Sequence, residues 1–335
     1  MYRPLQLLVR KVAFPVITNL GLQRILWQGN DSILVLMYHG VNASSDTSLN
    51  GRHLSARRFE RHLRYLKETF EVLPLNEVFD AVGTERHGRP RICITFDDGF
   101  ENNLTYAVPL LSKHGLPATF FVSSVCATGE TDILWPDAID LIVKDEKAVE
   151  VAGLRFERSY SKFFNAGIGK NLRDHIKEQD CNSRDGMMSE LSERYDLRSL
   201  KASCDPEQWR LMTASQVKEL SEQSGISIGS HCHNHYNLAH LTLENAKREL
   251  SYSRQLLEEC IGKPVTSIAF PDGSYNDRVK QLAYEVGYDG VCAVSFKLPD
   301  DPQDRRILRR SAVSATTNYS SNILHFHRNF NRDGN

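Results

Sequence analysis

Seven short apolar segments between residues 33 and 313 constrain the fold more than any other feature of the chain. Runs of this length, mostly apolar and in most cases ending near glycine, aspartate or histidine, are typical of strands buried on both faces, as in a parallel sheet. The segments are Ile33–Tyr38, Ile92–Phe96, Ala118–Val122, Ile226–Ser230, Val265–Phe270, Gly290–Val294 and Ile307–Val313.

Helical patterns lie between these segments, at Phe59–Thr69, Asn102–His114, Thr242–Ile261 and Asp277–Val286. The third pattern places apolar residues on one face and ends at Gly262, a usual helix stop. Alternation of strands and helices predicts an α/β fold, and a strand count near seven or eight favours a barrel. Polar residues at the ends of the strands are therefore the candidates for chemistry.

The stretch from about residue 134 to residue 212 interrupts this alternation, because it is polar and charged. We interpret it as a mostly helical insertion, which covers the site, contacts a partner or merely decorates the surface. The main domain is expected to span residues 31–315. Residues 316–335 are expected to form a polar, frayed tail.

The N-terminal segment, residues 1–30, carries four basic residues among apolar ones within residues 1–27. Its longest uncharged stretch, Val12–Gln23, contains Pro15 and Gly21 and is too short to span a bilayer. It either lies on an anionic membrane surface or packs on its own domain. Without a clear export signal, a cytoplasmic location is expected, peripheral at the inner membrane face, with export as the alternative.

Charge and cysteine content narrow the function classes. The 335-residue chain has a formal net charge of -1, so no global field favours nucleic acid and no nucleic-acid partner is expected. Its seven cysteines lack CxxC spacing. Several lie in apolar runs, where a small buried thiol is the simpler interpretation, and this weakly favours a reducing compartment.

Two adjacent carboxylates, Asp97 and Asp98, end the second apolar segment, and Gly99 follows them. The chain turns at the end of a strand, so both carboxylates can reach the mouth of a barrel, and glycine permits a tight turn. One carboxylate could ligate a metal while the other accepts a proton. The alternative is a pair that caps the following helix.

A histidine cluster ends the fourth segment, with His231 and His235 four residues apart. On a helical turn this spacing places both imidazoles on one side, where they can share an ion. Cys232 and His233 are further candidate ligands. One carboxylate and two histidines commonly hold a catalytic zinc with an open position. His39, at the end of the first segment, is either a general acid or a structural histidine.

Together these residues resemble the polysaccharide deacetylases, the NodB-homology or family-four carbohydrate esterases. The family motif TFDDG is complete at Thr95–Gly99, and H-[ST]-x-x-H occurs at His231–His235 with Cys232 at the Ser/Thr position. Pro117–Val122 is also characteristic. The resemblance implies a distorted (β/α) barrel and hydrolysis of an N-acetyl group on an amino sugar. The glycan would be a cell-surface polysaccharide or its lipid-linked precursor, and the cofactor a divalent metal, usually Zn²⁺.

The resemblance also implies roles for single residues. Asp98, His231 and His235 would hold the ion, and Asp97 would be the catalytic base. In many members the acid histidine follows a hydrophobic motif near the C-terminus. Here Val35–His39 resembles that motif moved to the N-terminus, as in the circularly permuted branch that includes the poly-N-acetylglucosamine deacetylases. His39 is therefore assigned as the general acid.

The third family motif departs from the pattern. Where the family often has Arg-x-Pro-Tyr, this chain has Ala269 in place of the arginine and Asp272 in place of the aromatic residue. Asp272, Tyr275 and Arg309 are candidates for oxyanion or substrate contacts, and Arg309 or Arg310 could supply the missing cation. Ordinary surface charge is the alternative for both arginines.

These departures leave two other functions open. One is a catalytically inactive, carbohydrate-binding member of the same fold. The other is a deformylase or amidohydrolase acting on a small amide. The sequence does not determine the oligomeric state.

Overall fold

The structure is a computed structural model that describes Val16 and residues 33–46, 48–81, 88–160, 162–315 and 318–330. Apart from Val16, the N-terminal segment of residues 1–30 lies outside the described residues. Among the described residues, no helix is both long and apolar enough to cross a bilayer.

Fourteen strands are present in the described part of the chain. In chain order they are β1 (Ile33–Tyr38), β2 (Val41–Asn42), β3 (Leu54–Ser55), β4 (Glu71–Val72), β5 (Arg91–Phe96), β6 (Ala118–Val122), β7 (Ala148–Val151), β8 (Leu154–Ser159), β9 (Lys162–Asn165), β10 (Lys170–Asn171), β11 (Ile226–Ser230), β12 (Ser267–Ala269), β13 (Gly290–Ala293) and β14 (Ile307–Ala312).

Seven of these strands close into a parallel barrel in the order β1-β14-β13-β12-β11-β6-β5, with β5 paired back to β1. They correspond to the seven apolar segments, so the predicted (β/α) barrel is confirmed. The short strand β4 adds to β5, and β2 pairs with β3. Because all the barrel strands are parallel, their carboxyl ends meet at one mouth. That mouth gathers the residues that follow β1, β5 and β11.

Twelve α-helices occur in the described part of the chain. They are α1 (Ala56–Thr69), α2 (Leu75–Ala81), α3 (Val108–His114), α4 (Val125–Thr128), α5 (Trp135–Val143), α6 (Leu172–Lys177), α7 (Cys181–Arg194), α8 (Leu197–Ser203), α9 (Ala214–Ser221), α10 (Leu243–Ile261), α11 (Asp277–Val286) and α12 (Tyr319–Phe330). The four predicted helical patterns match α1, α3, α10 and α11. A π-helical turn, Asn103–Ala107, leads into α3. The side chain of Thr242 caps the first turn of α10, and Gly262 ends it in a left-handed conformation with φ 67°.

The insertion contains helices α5 to α8, which hold more residues than its strands, and a four-stranded antiparallel sheet in the order β10-β9-β8-β7. The sequence analysis did not predict this sheet. Its signal is an alternation in which Val149, Val151 and Phe156 are buried between charged residues that face solvent. A backbone bridge from Ile133 to Arg210 joins the two ends of the insertion.

The C-terminal segment corrects the expectation of a frayed tail over residues 316–335. Residues 319–330 form α12, and Ile323 and Phe326 are fully buried against the core. The ring of Tyr319 lies 5.4 Å from the ring of His62 in α1. Residues 319, 323 and 326 share one helical face, an amphipathic spacing that overrides the polar composition of the segment.

Candidate active site

A polar cavity of about 300 Å³ opens at the carboxyl end of the barrel. It contains seven of the eleven residues that the sequence singled out, and lacks Cys232, His233, Tyr275 and Arg309. The lining residues are Met37, His39, Arg52, Asp97, Asp98, Pro136, Arg173, Lys177, His231, His235, Phe270, Asp272, Gly273, Val294 and Arg310.

Three of these side chains converge on one point. The Oδ1 atom of Asp98 lies 3.5 Å from Nε2 of His231 and 3.4 Å from Nε2 of His235. One ligand atom from each residue lies within 4.8 Å of the others, and all three residues are buried. The distances are short enough for the three atoms to share one ion.

Hydrogen bonding prepares His231 for this role. Its Nδ1 atom lies 2.7 Å from the carbonyl oxygen of Ala269, which can only accept, so Nδ1 carries the proton and Nε2 keeps its lone pair for the cavity. A set of one carboxylate and two imidazoles with open space beside it fits a divalent ion such as Zn²⁺. The chemistry of the donor atoms therefore fits the predicted metal.

The loop after β11 is not helical, which corrects the expected helical turn. His231 follows the strand directly, and Cys232 and His235 adopt positive φ angles of 62° and 55°. These two reversals bring the imidazole rings to a centroid distance of 4.9 Å. The side chain of His233 points elsewhere: its Nδ1 lies 3.0 Å from Ser124 Oγ. Neither Cys232 nor His233 lines the cavity, so the candidate ligand set is Asp98, His231 and His235.

A similar reversal positions the carboxylates. Asp98 has a φ of 77° and Gly99 a φ of 92° immediately after β5. A Cβ atom at Gly99 would lie 3.0 Å from Val122 Cγ1, so this turn needs glycine for both its conformation and its space. The turn lets Asp97 and Asp98 both face the cavity, although neighbouring residues in a continuing strand would point to opposite faces.

Asp97 is held by an arginine. The guanidinium of Arg310, in β14, donates from Nη1 to Oδ1 over 2.5 Å and from Nη2 to Oδ2 over 2.7 Å. Burial alone would raise the pKa of Asp97, but Arg310 and nearby His231 outweigh it and hold the pKa below its usual value. Asp97 is thus an ionised carboxylate beside the three ligands and separate from them.

The prediction of Arg309 as a site residue is corrected to its neighbour Arg310. Residues alternate between faces along β14, so only one of the two arginines can face the cavity. Arg310 pairs in register with Val35 of β1 and lies 213 residues from Asp97 in the chain. It supplies the cation that the third motif lacks at Ala269, from a different strand.

Asp98 also has an arginine partner. Arg52 donates from Nη1 to Oδ2 of Asp98 over 2.9 Å. Burial would raise the pKa of Asp98, but Arg52 and the two neighbouring imidazoles hold it well below its usual range. No motif in the sequence pointed to Arg52, because only the fold brings its loop to β5.

His39 follows β1 and lines the cavity, as the assignment of a general acid requires. Its Nδ1 atom is buried and has no hydrogen-bond partner among the described residues. Burial lowers the pKa of His39 to about 4, and the charges of Asp98 and Asp97 only partly oppose this. At neutral pH the imidazole is therefore uncharged, and its Nδ1 atom is uncommitted inside the cavity.

Asp272 and Tyr275 have different places. Asp272 lines the cavity with a φ of 55°, and its carboxylate accepts from Lys177 Nζ over 2.5 Å. Burial would raise its pKa, but His235 and Lys177 hold the pKa below its usual value. Lys177 thereby offsets the negative charge that the altered third motif adds. The hydroxyl of Tyr275 donates to Asp301 outside the cavity, which corrects its prediction as a substrate contact.

The insertion forms part of this site. Pro136, Arg173 and Lys177 line the cavity, and Trp135 donates from Nε1 to the carbonyl oxygen of His235 over 3.0 Å. Arg184 donates to the carbonyl oxygen of Asn234 over 3.0 Å. Of the uses left open for the insertion, covering the site is the one that these contacts match.

A parallel barrel with buried acidic and imidazole groups at its carboxyl mouth has the layout of an α/β-barrel active site. The chain belongs to the polysaccharide deacetylase family, whose family model matches residues 84–291. Family membership implies a hydrolase acting on amides.

The chain is 22% identical to the YxkH protein of Bacillus subtilis (strain 168) over 258 residues, which is 76% of this chain. It spans about three fifths of the length of that relative, 61%. Among solved structures it is similar to Streptococcus pyogenes deacetylase PplD in complex with acetate, with a TM-score of 0.57 and 18% identity over 88% of this chain and 97% of that chain.

The fold is also similar to IcaB from Ammonifex degensii, with a TM-score of 0.54 and 16% identity over 89% of this chain and 98% of that chain. A de-N-acetylase from Aggregatibacter actinomycetemcomitans gives a TM-score of 0.52 and 16% identity, covering 89% of this chain and 99% of that chain. At these identities the likeness shows the shared fold.

Proposed function

We propose that the protein is a metal-dependent deacetylase that hydrolyses the N-acetyl group of an amino sugar. One observation carries the proposal. Asp98 Oδ1 lies 3.4–3.5 Å from two imidazole Nε2 atoms, while Asp97 lies beside them and is hydrogen-bonded to Arg310. This arrangement separates ion binding from proton transfer, which is the division that amide hydrolysis needs.

Asp98, His231 and His235 are the residues that would hold the ion. A divalent ion bound there supplies Lewis acidity, which polarises a carbonyl group and makes water easier to deprotonate. Asp97 accepts the proton of the attacking water, and the bidentate hydrogen bonds from Arg310 fix the direction in which the carboxylate points. Each of these groups is already in place before substrate arrives.

The leaving amine needs a proton, and we assign the neutral imidazole of His39 to relay to it the proton that Asp97 takes from the attacking water. It lies in the same cavity, and its Nδ1 atom is not committed to another residue of the described chain. The backbone N–H of Asp272 is a candidate donor to the developing oxyanion. Pairing of the Asp272 carboxylate with Lys177 keeps its charge from opposing that step.

For the substrate, we propose an acetylated amino sugar in a cell-surface polysaccharide or its lipid-linked precursor. The names of the solved structures with the same fold support this, since one is a de-N-acetylase and another a deacetylase.

We further propose that the basic residues in positions 1–27 hold the enzyme at the cytoplasmic membrane face, where a lipid-linked precursor would be found. Flotation with anionic vesicles, compared with neutral ones, tests this placement.

The function is tested by acetate release. Protein stripped with a chelator should release no acetate from acetylated glucosamine oligomers, and added Zn²⁺ should restore release. A parallel screen of formylated substrates and small ring amides distinguishes the deacetylase from the amidohydrolase alternative. Glycan binding without acetate release, in protein shown to contain metal, would instead favour an inactive binding protein.

A further inference from the structure

The two oxygens of Asp98 have different partners. Oδ1 faces the imidazoles of His231 and His235, whereas Oδ2 accepts a hydrogen bond from Arg52 Nη1 over 2.9 Å. With Oδ2 engaged by a guanidinium, Oδ1 is the oxygen that faces the two imidazoles. The carboxylate is therefore arranged to bind an ion through one oxygen, which leaves coordination positions for water and substrate.

Arg52 is itself held in place by two residues. Its other terminal nitrogen, Nη2, donates to Oδ1 of Asp137, and its Nε donates to Asn50 Oδ1 over 3.1 Å. Asn50 in turn donates from Nδ2 to Asp137 Oδ1 over 2.9 Å. Asp137 is 1% exposed. The three side chains form a closed set of hydrogen bonds that fixes the guanidinium against Asp98.

Asp137 belongs to α5, the first helix of the insertion. The same helix contains Trp135, which contacts the loop of His235. Trp135, two residues earlier, donates from its indole Nε1 to the carbonyl oxygen of His235 over 3.0 Å. The N-terminal end of α5 thus contacts Asp98 indirectly, through Arg52. It contacts His235 directly, at the backbone carbonyl group.

We propose that Arg52 and Asp137 are positioning residues, and that the start of the insertion, Trp135–Asp137, sets the geometry of the metal site. This inference rests on the proposed metal-dependent function. Groups that orient metal ligands from behind typically change metal affinity by about 10- to 100-fold when they are removed.

Removing the charge of Asp137 should weaken metal binding. Arg52 is a cation next to the intended ion, and Asp137, whose pKa burial raises to about 7, offsets that charge in its ionised form. In Asp137→Asn the guanidinium keeps its charge and loses its anionic partner, so it repels the ion and competes for Asp98 more strongly. In Arg52→Lys the charge stays, but a single ammonium group cannot reproduce the planar fork that joins Asp98 to Asp137.

The test uses metal binding by the chelator-stripped full-length protein. Zn²⁺ affinity is measured by competition with a chromophoric chelator, and the visible spectrum of the Co²⁺-loaded protein reports the coordination geometry. We expect Asp137→Asn and Arg52→Lys to bind Zn²⁺ about 10- to 100-fold more weakly and to shift the Co²⁺ spectrum. Trp135→Phe, which keeps the ring and removes the N–H, should also shift the spectrum and covers the case in which Asp137→Asn does not fold.

The matched control is Glu150→Gln, which removes a charge from an exposed ion pair of the same insertion with Arg155 and Arg194. It should leave Zn²⁺ affinity unchanged. Affinities within about twofold of the parent with an unaltered Co²⁺ spectrum, or equal weakening in the control, would overturn the proposal. Acetate release is not a readout here, so a failure of the deacetylase assay with normal metal binding would count only against the proposed substrate.

Discussion

Two buried clusters of charged side chains in this molecule differ in how completely their polar atoms are hydrogen-bonded. The catalytic cluster is formed by Asp97, Asp98, His231, His235 and Arg310 around the cavity. The lysine cluster joins Lys280 of α11 to Asp301, Asp304 and Tyr275. In both, burial would be costly without partners, so pairing alone does not distinguish them.

The lysine cluster is saturated by its own members. Asp301 Oδ1 accepts from Lys280 over 2.8 Å, while Oδ2 accepts from the backbone of Lys297 and Leu298 and from the hydroxyl of Tyr275. In the catalytic cluster, Asp98 Oδ1 and the Nε2 atoms of two histidines instead converge within 3.4–3.5 Å at the edge of the cavity. Lone pairs that converge on a cavity indicate function, and lone pairs that are fully used indicate structure.

The largest expected effect is on Asp97. Replacing it in Asp97→Asn removes the proton acceptor but keeps one oxygen for Arg310, so acetate release should fall about 10³-fold, ~4 kcal/mol of barrier. The assay is initial-rate acetate release from an acetylated oligomer. Metal content and thermal midpoint serve as controls. A variant that keeps its metal and more than a tenth of the activity would show that Asp97 is not the base.

The second prediction concerns the lysine cluster. Lys280→Met should lower the free energy of unfolding by about 3 kcal/mol, because it leaves Asp301 buried without its cation. Denaturant titration measures the loss. Activity per folded molecule should stay within about twofold at a temperature where the variant remains native. A large drop in the acetate-release rate of the folded variant would show that the lysine cluster also contributes to activity, which contradicts its purely structural role.

The third prediction tests the general acid. His39→Gln should slow acetate release about 10²-fold, ~2.7 kcal/mol, with Zn²⁺ affinity and stability close to those of the parent. Because leaving-group protonation is the assigned role, an activated ester substrate, whose leaving group needs no proton, should lose much less. Equal losses on ester and amide would remove His39 from that role.

The smallest effect is expected for Tyr275→Phe. The variant loses the hydrogen bond donated to Asp301 and the one accepted from the backbone N–H of Lys297. It should be destabilised by about 1–2 kcal/mol, with acetate release unchanged within about twofold. The matched readouts are a denaturant titration and the KM for the oligomer. A raised KM with unaltered stability would return Tyr275 to the substrate site and contradict its place in the lysine cluster.

Much of the barrel could be predicted because its signals are local. Each strand is a short apolar run, and the ligands stand directly after such runs, at Asp98 and His231. The sheet of the insertion and the helix α12 were missed for a different reason. In both elements most residues are polar, and only a few regularly spaced residues such as Ile323 and Phe326 are buried. The polar composition therefore hid the periodicity of the strands and of the helix.

The supporting groups of the site could not be found in this way. Arg310 comes from a strand 213 residues away, and a shift of one residue in the register of that strand would have presented Arg309 instead. Arg52 and Lys177 come from a loop and from the insertion, and nothing near them in the sequence resembles a motif. Their roles arise only from tertiary packing.

The barrel closes where β1 lies between β5 and β14, so early and late parts of the chain share one wall. During synthesis, β1 and β5 are made long before β14. Until residue 312 has emerged, one edge of β1 therefore offers unpaired backbone groups that other chains could join. Aggregation of nascent or truncated chains should consequently be sensitive to the last strand, and Arg310 reaches Asp97 only at the end of that process.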